Sequence, residues 1–301
     1  MNKKSLVKTT TRAVGSKLVI AMITAAFSLV WVQPAISQPY EVIYEPFDYD
    51  TGALAGQDGG IGFEGAWSSG GEANHYAVTS PGLSLGELPV AGNRVRRPSA
   101  PQGAQSSRAI SATSQAALTA DNTTIWFSIL LGDERFSTPN ENGTFALASG
   151  AFSSGGSDSG GLPNVPGGNG FGVTTRVLSD EFRIYAYRIV DGTRERTSDY
   201  YEGSTTAGGT YLVAGKIAWG EHHEGHTLHL FNITDPLAEE PPEDEEAFAF
   251  FEADFDQSTL NTLAIGNRQI SSVDEIRFAT SFYGAMGREV PPPAGTLMII
   301  K

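Results

Sequence analysis

The sequence predicts an all-β protein, a sandwich or barrel of short strands, and three observations carry that reading. Glycine is abundant, 35 of 301 residues. Short runs of β-branched and aromatic residues recur between clusters of Gly, Ser, Asn and Pro, the pattern of a sandwich or barrel. Long windows of helical periodicity are missing. With no cysteine in the chain, the stability of such a sandwich has to come from its core and not from disulfides.

The first 37 residues stand outside that pattern. Lys3, Lys4, Lys8, Arg12 and Lys17 form a basic stretch without an acidic residue, an apolar run follows over 18–32, and Ala35 and Ser37 are small residues before Gln38. These are the three parts of a secretory signal peptide, with cleavage expected between Ser37 and Gln38. The apolar run is shorter than the roughly 20 residues a membrane helix requires. The expected location is therefore secreted, periplasmic or at the cell surface, with no transmembrane segment in the mature chain.

Charge sharpens the picture. Five of the 20 Lys and Arg and none of the 34 Asp and Glu lie in the leader. Residues 38–301 then carry 15 basic against 34 acidic side chains, a net charge of about −19. Such a surface repels nucleic acid and anionic lipid and keeps an exported protein soluble.

Candidate strands follow in order at 42–44, 76–79, 94–96, 108–111, 124–131, 144–148, 172–177, 182–190, 211–219, 227–232, 247–253, 262–265 and 273–280. The 124–131 run, Thr-Ile-Trp-Phe-Ser-Ile-Leu-Leu, is apolar on both faces, which predicts a central strand. The 182–190 run alternates instead. Phe182, Ile184 and Ala186 fall on one face and Arg183, Tyr185 and Tyr187 on the other, which predicts that the second face is wet or ligand-facing. The Gly/Ser/Pro-rich 153–170 and the acidic 239–246 read as long loops. No composition break demands a second domain, so the expected layout is a sandwich over 38–289 and a Pro-rich tail over 290–301.

Several motifs resemble a known group. Tyr44-Glu-Pro-Phe-Asp-Tyr49 leads to Gly59-Gly60-Ile61-Gly62 and Phe63-Glu-Gly-Ala-Trp67, followed by Ile125-Trp-Phe-Ser128, Ala214-Gly-Lys-Ile217 and Val273-Asp-Glu-Ile-Arg-Phe-Ala-Thr-Ser281. Together these resemble the LamG/concanavalin A-like jelly-roll proteins exported by environmental bacteria, many of which carry a C-terminal exosortase (PEP-CTERM) sorting signal. The resemblance implies a two-sheet jelly roll with a concave face often used for polysaccharide, and in many cases a calcium ion near the rim. Val290-Pro-Pro-Pro-Ala-Gly-Thr-Leu297 is similar to the Val-Pro-Glu-Pro start of such a signal. Pro292 stands where Glu is expected, no membrane helix or basic cluster follows, and a short final strand over 296–300 is the alternative.

Four groups of residues could carry chemistry. Glu221-His222-His223-Glu224-Gly225-His226 with His229 invites a metal reading. It lies in an expected hairpin loop, however, and His226 and His229 point to opposite faces of a strand. Glu252, Asp254 and Asp256 alternate, and the spacing approaches the Glu-x-Asp-x-x-Glu strand of jelly-roll glucanases, with Gln257 where the last Glu belongs. Asp48, Asp50, Asp58, Asp254 and Asp256 are oxygen donors for Ca2+ without a contiguous calcium signature. Finally, Arg176, Arg183, Tyr185 and Tyr187, beside Thr174 and walled by Tyr200 and Tyr201, offer the stacking and polar contacts that bind sugars. Trp67, Trp126 and Trp219 are expected in the core, and the Asp274-Glu275 pair is expected to be structural, with one member meeting Arg277. The reading this favours is a non-catalytic, exported glycan-binding or surface-associated protein. A polysaccharide hydrolase or lyase using Glu252 and Asp254 is the rival from another class, and a purely structural extracellular matrix protein is a third.

Overall fold

The computed structural model describes residues 41–70, 76–96, 104–133, 141–152, 165–177, 181–203, 208–267 and 272–289. The expected signal peptide, the Pro-rich tail, His75 and most of the 153–170 loop lie outside these residues.

In chain order the first strands are β1 (Glu41–Glu45), β2 (Gly52–Ala53), β3 (Ser68–Gly70), β4 (Ala77–Thr79), β5 (Arg94–Arg96) and β6 (Ala104–Ala109). Helix α1 (Ala112–Leu118) precedes β7 (Thr124–Gly132), β8 (Glu141–Ala148), β9 (Gly170–Val177) and β10 (Phe182–Val190). Next come β11 (Thr193–Arg196), β12 (Tyr201–Glu202), β13 (Thr210–Ala218) and β14 (His226–Ile233). The last elements are β15 (Ala249–Ala253), β16 (Thr262–Asn267), β17 (Ser272–Ala279) and α2 (Phe282–Ala285).

The strands form two antiparallel sheets, the jelly roll the sequence leads one to expect. Sheet 1 runs β15-β14-β13-β7-β17-β5-β4-β2, with β1 also on β17. Sheet 2 runs β11-β10-β9-β8-β16-β6-β3, with β12 also on β10. The doubly apolar β7 is central, between β13 and β17. Its Phe127 and Ile129 enter the layer between the sheets, where Phe127, Phe145 and Phe278 pack with ring centroids 5.3–6.0 Å apart. A Cβ on Gly215, directly across from Phe127, would lie 2.0 Å from that ring. Only glycine lets the aromatic cross there. The other face of β7 supplies Trp126 and Leu130 to a second cluster, covered by Leu83, Leu88 and the Phe282, Ala285 and Met286 of the α2 region. Sheet 1 is thus buried on both faces around its centre, each large side chain contributing roughly 1.5–3 kcal/mol.

Two ion networks tie the N-terminal motifs into this core. Glu45 Oε2 accepts hydrogen bonds from Trp67 Nε1 (2.8 Å), Arg108 Nη1 (2.8 Å) and Tyr49 Oη (2.9 Å), while Oε1 accepts from Phe47 N (2.9 Å). Arg108 completes its set with Gly65 O, Asp58 and the Phe63 ring. In the second network, β17 bulges between Asp274 and Arg277, and Glu275 sits at φ 48°. That left-handed conformation costs a non-glycine residue about 1–2 kcal/mol. It is held by contacts: Glu275 Oε1 accepts from Ala91 N, Arg277 Nη2 lies 2.6 Å from Glu275 Oε2, and Asp274 Oδ2 accepts from Leu83 N at 2.7 Å. The bulge therefore pins the loop that covers sheet 1, and the Asp274-Glu275 pair is structural with Glu275 meeting Arg277.

Four short strands (β2, β3, β11 and β12) and both helices are absent from the sequence expectation. The helices are brief and rest on local caps: Ser111 Oγ accepts from Ser114 N before α1, and Ser281 Oγ from Gly284 N before α2. The 108–111 strand begins earlier, at Ala104, and ends at Ala109.

Candidate functional site

Sheet 2 has a half-covered outer face. At one end Phe152 and Val165 pack on Ala146, Ala148, Tyr187, Ile189 and Ala264. Towards the other end of β9 and β10 the face carries Thr174, Arg176, Arg183 and Tyr185. The register places Tyr185 opposite Thr174 and Arg183 opposite Arg176. Thr174 itself is buried and shares a hydroxyl hydrogen bond of 2.9 Å with Thr144.

The edge of this sheet builds the rest of the patch. Asp191 and Gly192 both have positive φ, 49° and 77°, the two-residue turn that matches strand twist. It folds β11 back on β10 so that Arg194 and Arg196 sit across from Ile189 and Tyr187 on the outer face. After Arg196 the chain leaves the ladder and then rejoins the same strand as β12, Tyr201 opposite Ile184 and Glu202 opposite Arg183. The intervening loop is anchored by Thr197 N to Ala186 O (3.1 Å) and Gly203 N to Phe182 O (2.7 Å). It hangs Tyr200 over the face.

There the arginines and tyrosines interleave. The Arg183 guanidinium lies 4.3 Å from the Tyr200 ring centre and that of Arg196 4.9 Å from Tyr185. The Tyr185 and Tyr200 rings are 5.2 Å apart. Arg183 also pairs with Glu181, and its pKa is raised chiefly by its hydrogen bond with Tyr185. Cation–π contacts of this kind hold a guanidinium in place without neutralising it.

Burial corrects the expectation of a wet face for the two predicted tyrosines. Tyr187 is fully enclosed beneath Phe152 and Val165, and Tyr185 is only 4 % exposed beside Tyr200 and Arg196. A cover drawn from distant sequence overrides strand alternation here. Tyr200 stands at the patch as expected, whereas Tyr201 turns between the sheets against Tyr211 and Phe248. Arg196 went unrecognised because β11 did, although Asp191-Gly192 after an alternating run signals a hairpin.

A second candidate region is an open groove of about 450 Å³ between the two sheets' edges, lined by Arg188, Val190, Thr193, Glu195, Glu252, Ala253 and Asp254. It does bring Glu252 and Asp254 together, and adds Glu195. The expected alternation of three acids fails, because β15 stops at Ala253. Asp254 Oδ1 accepts from Gly225 N at 2.7 Å, and Asp256 leaves the groove to cap Ser258 N at 3.0 Å. Arg188 occupies one wall, bonded to Glu195 Oε2 (2.5 Å) and to Glu252 O.

The histidines separate as their strand positions require. His226 is buried, its Nδ1 accepting from Gly220 N (3.1 Å) and its Nε2 bonded to Phe255 O (2.8 Å). His229 points to the opposite face, beside Phe250. His223 Nδ1 lies 3.0 Å from Gln257 Oε1 and 3.3 Å from Asp256. Among the described residues no three His, Asp or Glu converge as a metal site, and Asp58 is engaged by Arg108. Nor is any helix there long and apolar enough to cross a membrane.

These features define an antiparallel jelly-roll sandwich with an arginine–tyrosine patch on one outer face. No protein-family model and no curated protein matches the sequence. Among solved structures, it is similar to a botulinum neurotoxin type C chain described in connection with two ganglioside molecules, at 7 % identity and a TM-score of 0.36. That likeness covers 76 % of this chain and 47 % of the toxin chain, so this chain spans about half of that protein. It is also similar to the CBM2 module of the evolved Dit protein of Lactobacillus casei BL23 phage J-1, at 9 % identity and a TM-score of 0.36, covering 79 % and 94 %. A legume lectin-like domain from Entamoeba histolytica shares 12 % identity at a TM-score of 0.36, covering 68 % and 89 %. Likenesses this distant assign no ligand; the fold is read from the chain's own strand order.

Proposed function

We propose that this protein is a non-catalytic, exported glycan-binding jelly-roll protein, and that the patch of Arg176, Arg183, Arg196, Tyr185 and Tyr200 is where it binds. The observation that carries the reading is the interleaved contact: Arg183 over Tyr200, Arg196 over Tyr185, and the two tilted rings 5.2 Å apart, with Tyr200 the ring nearer the surface. Flat apolar ring area next to planar donors is the combination that recognises a sugar's hydroxyls and ring face together. Tyr187 supports the floor of the patch from beneath its cover and touches no ligand.

The address belongs to the same proposal. Residues 1–37 act as a cleaved leader, 38–289 as the sandwich and 290–301 as a Pro-rich tail. N-terminal sequencing of the exported protein should begin at Gln38, and a start at Met1 would overturn the export reading. A glycan array run beside a reducing-end release assay tests the activity. Binding lost in Tyr200→Ala, with no bond cleavage by the unaltered protein, is the expected result. Cleavage abolished by Glu252→Gln would transfer the function to the groove and make the protein a hydrolase or lyase.

A further inference from the structure

Resting on that glycan-binding reading, we infer that the ligand of the patch is an acidic polysaccharide, one bearing carboxylate or sulfate groups. Arg176 and Arg183 lie directly opposite each other on adjacent strands and on the same face of sheet 2. Arg194 and Arg196 add two more cations on that face, two positions apart on the neighbouring edge strand. Residues directly opposite on one face have Cβ atoms roughly 4.5–5.5 Å apart, so neighbouring guanidinium groups on these strands can meet one anion together.

Only 15 basic side chains follow residue 37, against 34 acidic ones, yet four of them share this face. Exposed charges interact over about 8–10 Å at moderate salt. A polyanion repelled by most of this surface therefore finds a favourable approach where the arginines gather. Glu181 pairs with Arg183 and Glu202 lies opposite it in register, which weights the positive end of the patch towards Arg194 and Arg196.

All four cations are Arg, whose planar fork matches carboxylate and sulfate oxygens bidentately and stacks on rings, where Lys does neither. Two of the four already lie over tyrosine rings. That pre-orders them for an incoming anion at little further loss of side-chain freedom.

The test uses the full chain and three immobilised probes: polygalacturonate, dextran sulfate and neutral laminarin. The expected result is retention on one or both acidic polymers, with the Kd rising at least tenfold between 50 and 500 mM NaCl, and none on laminarin. Preference between the two acidic polymers then identifies carboxylate or sulfate as the group recognised. Arg196→Gln should weaken retention at least tenfold at low salt, and Arg196→Lys, which keeps charge but not the fork, should fall between. Equal, salt-independent binding to laminarin would overturn the acidic-ligand inference while leaving glycan binding intact. An unchanged Kd in a folded Arg196→Gln protein would overturn it too. Retention on none of these probes, nor on any glycan of an array, would remove the glycan-binding reading and this inference with it.

Discussion

Arg108 and Arg196 both lie against an aromatic ring, 4.2 Å from Phe63 and 4.9 Å from Tyr185, yet they do opposite work. Arg108 is 2 % exposed and its three nitrogens meet Gly65 O, Glu45, Tyr49 and Asp58. It is a closed unit that staples the N-terminal motifs to β6. Arg196 is half-buried on the outer face of sheet 2, oriented by a ring that leaves its charge in place. A buried carboxylate completes an arginine and makes it structural; at the surface a ring positions it and leaves it able to recognise something else. The motifs that resemble the exported jelly-roll proteins belong largely to the first kind: Tyr44, Glu45, Tyr49, Trp67, Glu275 and Arg277 all serve the buried networks.

The sharpest way to break this contrast is to remove one member of each region. Arg108→Ala leaves Glu45 buried without its cation and should cost about 3–5 kcal/mol. In thermal unfolding that is a drop in Tm on the order of 10 °C for a chain of this size. A shift of a degree or two would mean that the staple is not structural.

Next in size is pH. Burial pushes the Asp274 carboxyl up from 3.8 to about 8, and burial likewise raises Glu275, Glu45 and Glu41. Between those values the folded chain keeps a proton on Asp274 that the unfolded chain has released, so stability falls as pH rises through that window. The effect should reach a few kcal/mol, and Tm should be higher at pH 5 than at pH 8. Asp274→Asn should flatten the slope by about one linked proton; an unaltered slope would show that another group sets it.

At the patch the signs reverse. Tyr200→Ala should weaken glycan binding at least tenfold, about 1.4 kcal/mol, while lowering Tm far less than Arg108→Ala does. Isothermal titration beside the melting curve separates the two effects, and a large loss of stability with unchanged affinity would place Tyr200 with the structural residues. The smallest expected change is Glu252→Gln in the groove, within about 0.5 kcal/mol in stability and with no change in binding.

Fold class and central layer were legible because they depend on short-range pattern. The 124–131 run is apolar on both sides and becomes the central β7; the 182–190 run alternates and becomes a strand with its Phe182 face in the core. The edge elements were less legible. β11 and β12 are short, polar and paired only to β10, so neither hydrophobic period nor length marks them. The groove acids misled for a related reason: alternation in sequence delivers one face only while the strand lasts, and β15 ends at Ala253.

By itself the sequence determined which way the side chains of β10 point, because successive residues of a strand face opposite sides whatever surrounds them. Arg183, Tyr185 and Tyr187 do leave the core together. Only the tertiary structure decided what each of them meets there. Phe152 and Val165, far along the chain, close over Tyr187; the loop before β12 brings Tyr200 to Tyr185 and Arg183; and Arg183 stays half-buried at the surface. Direction is a property of the local backbone, whereas cover depends on which distant segments pack there.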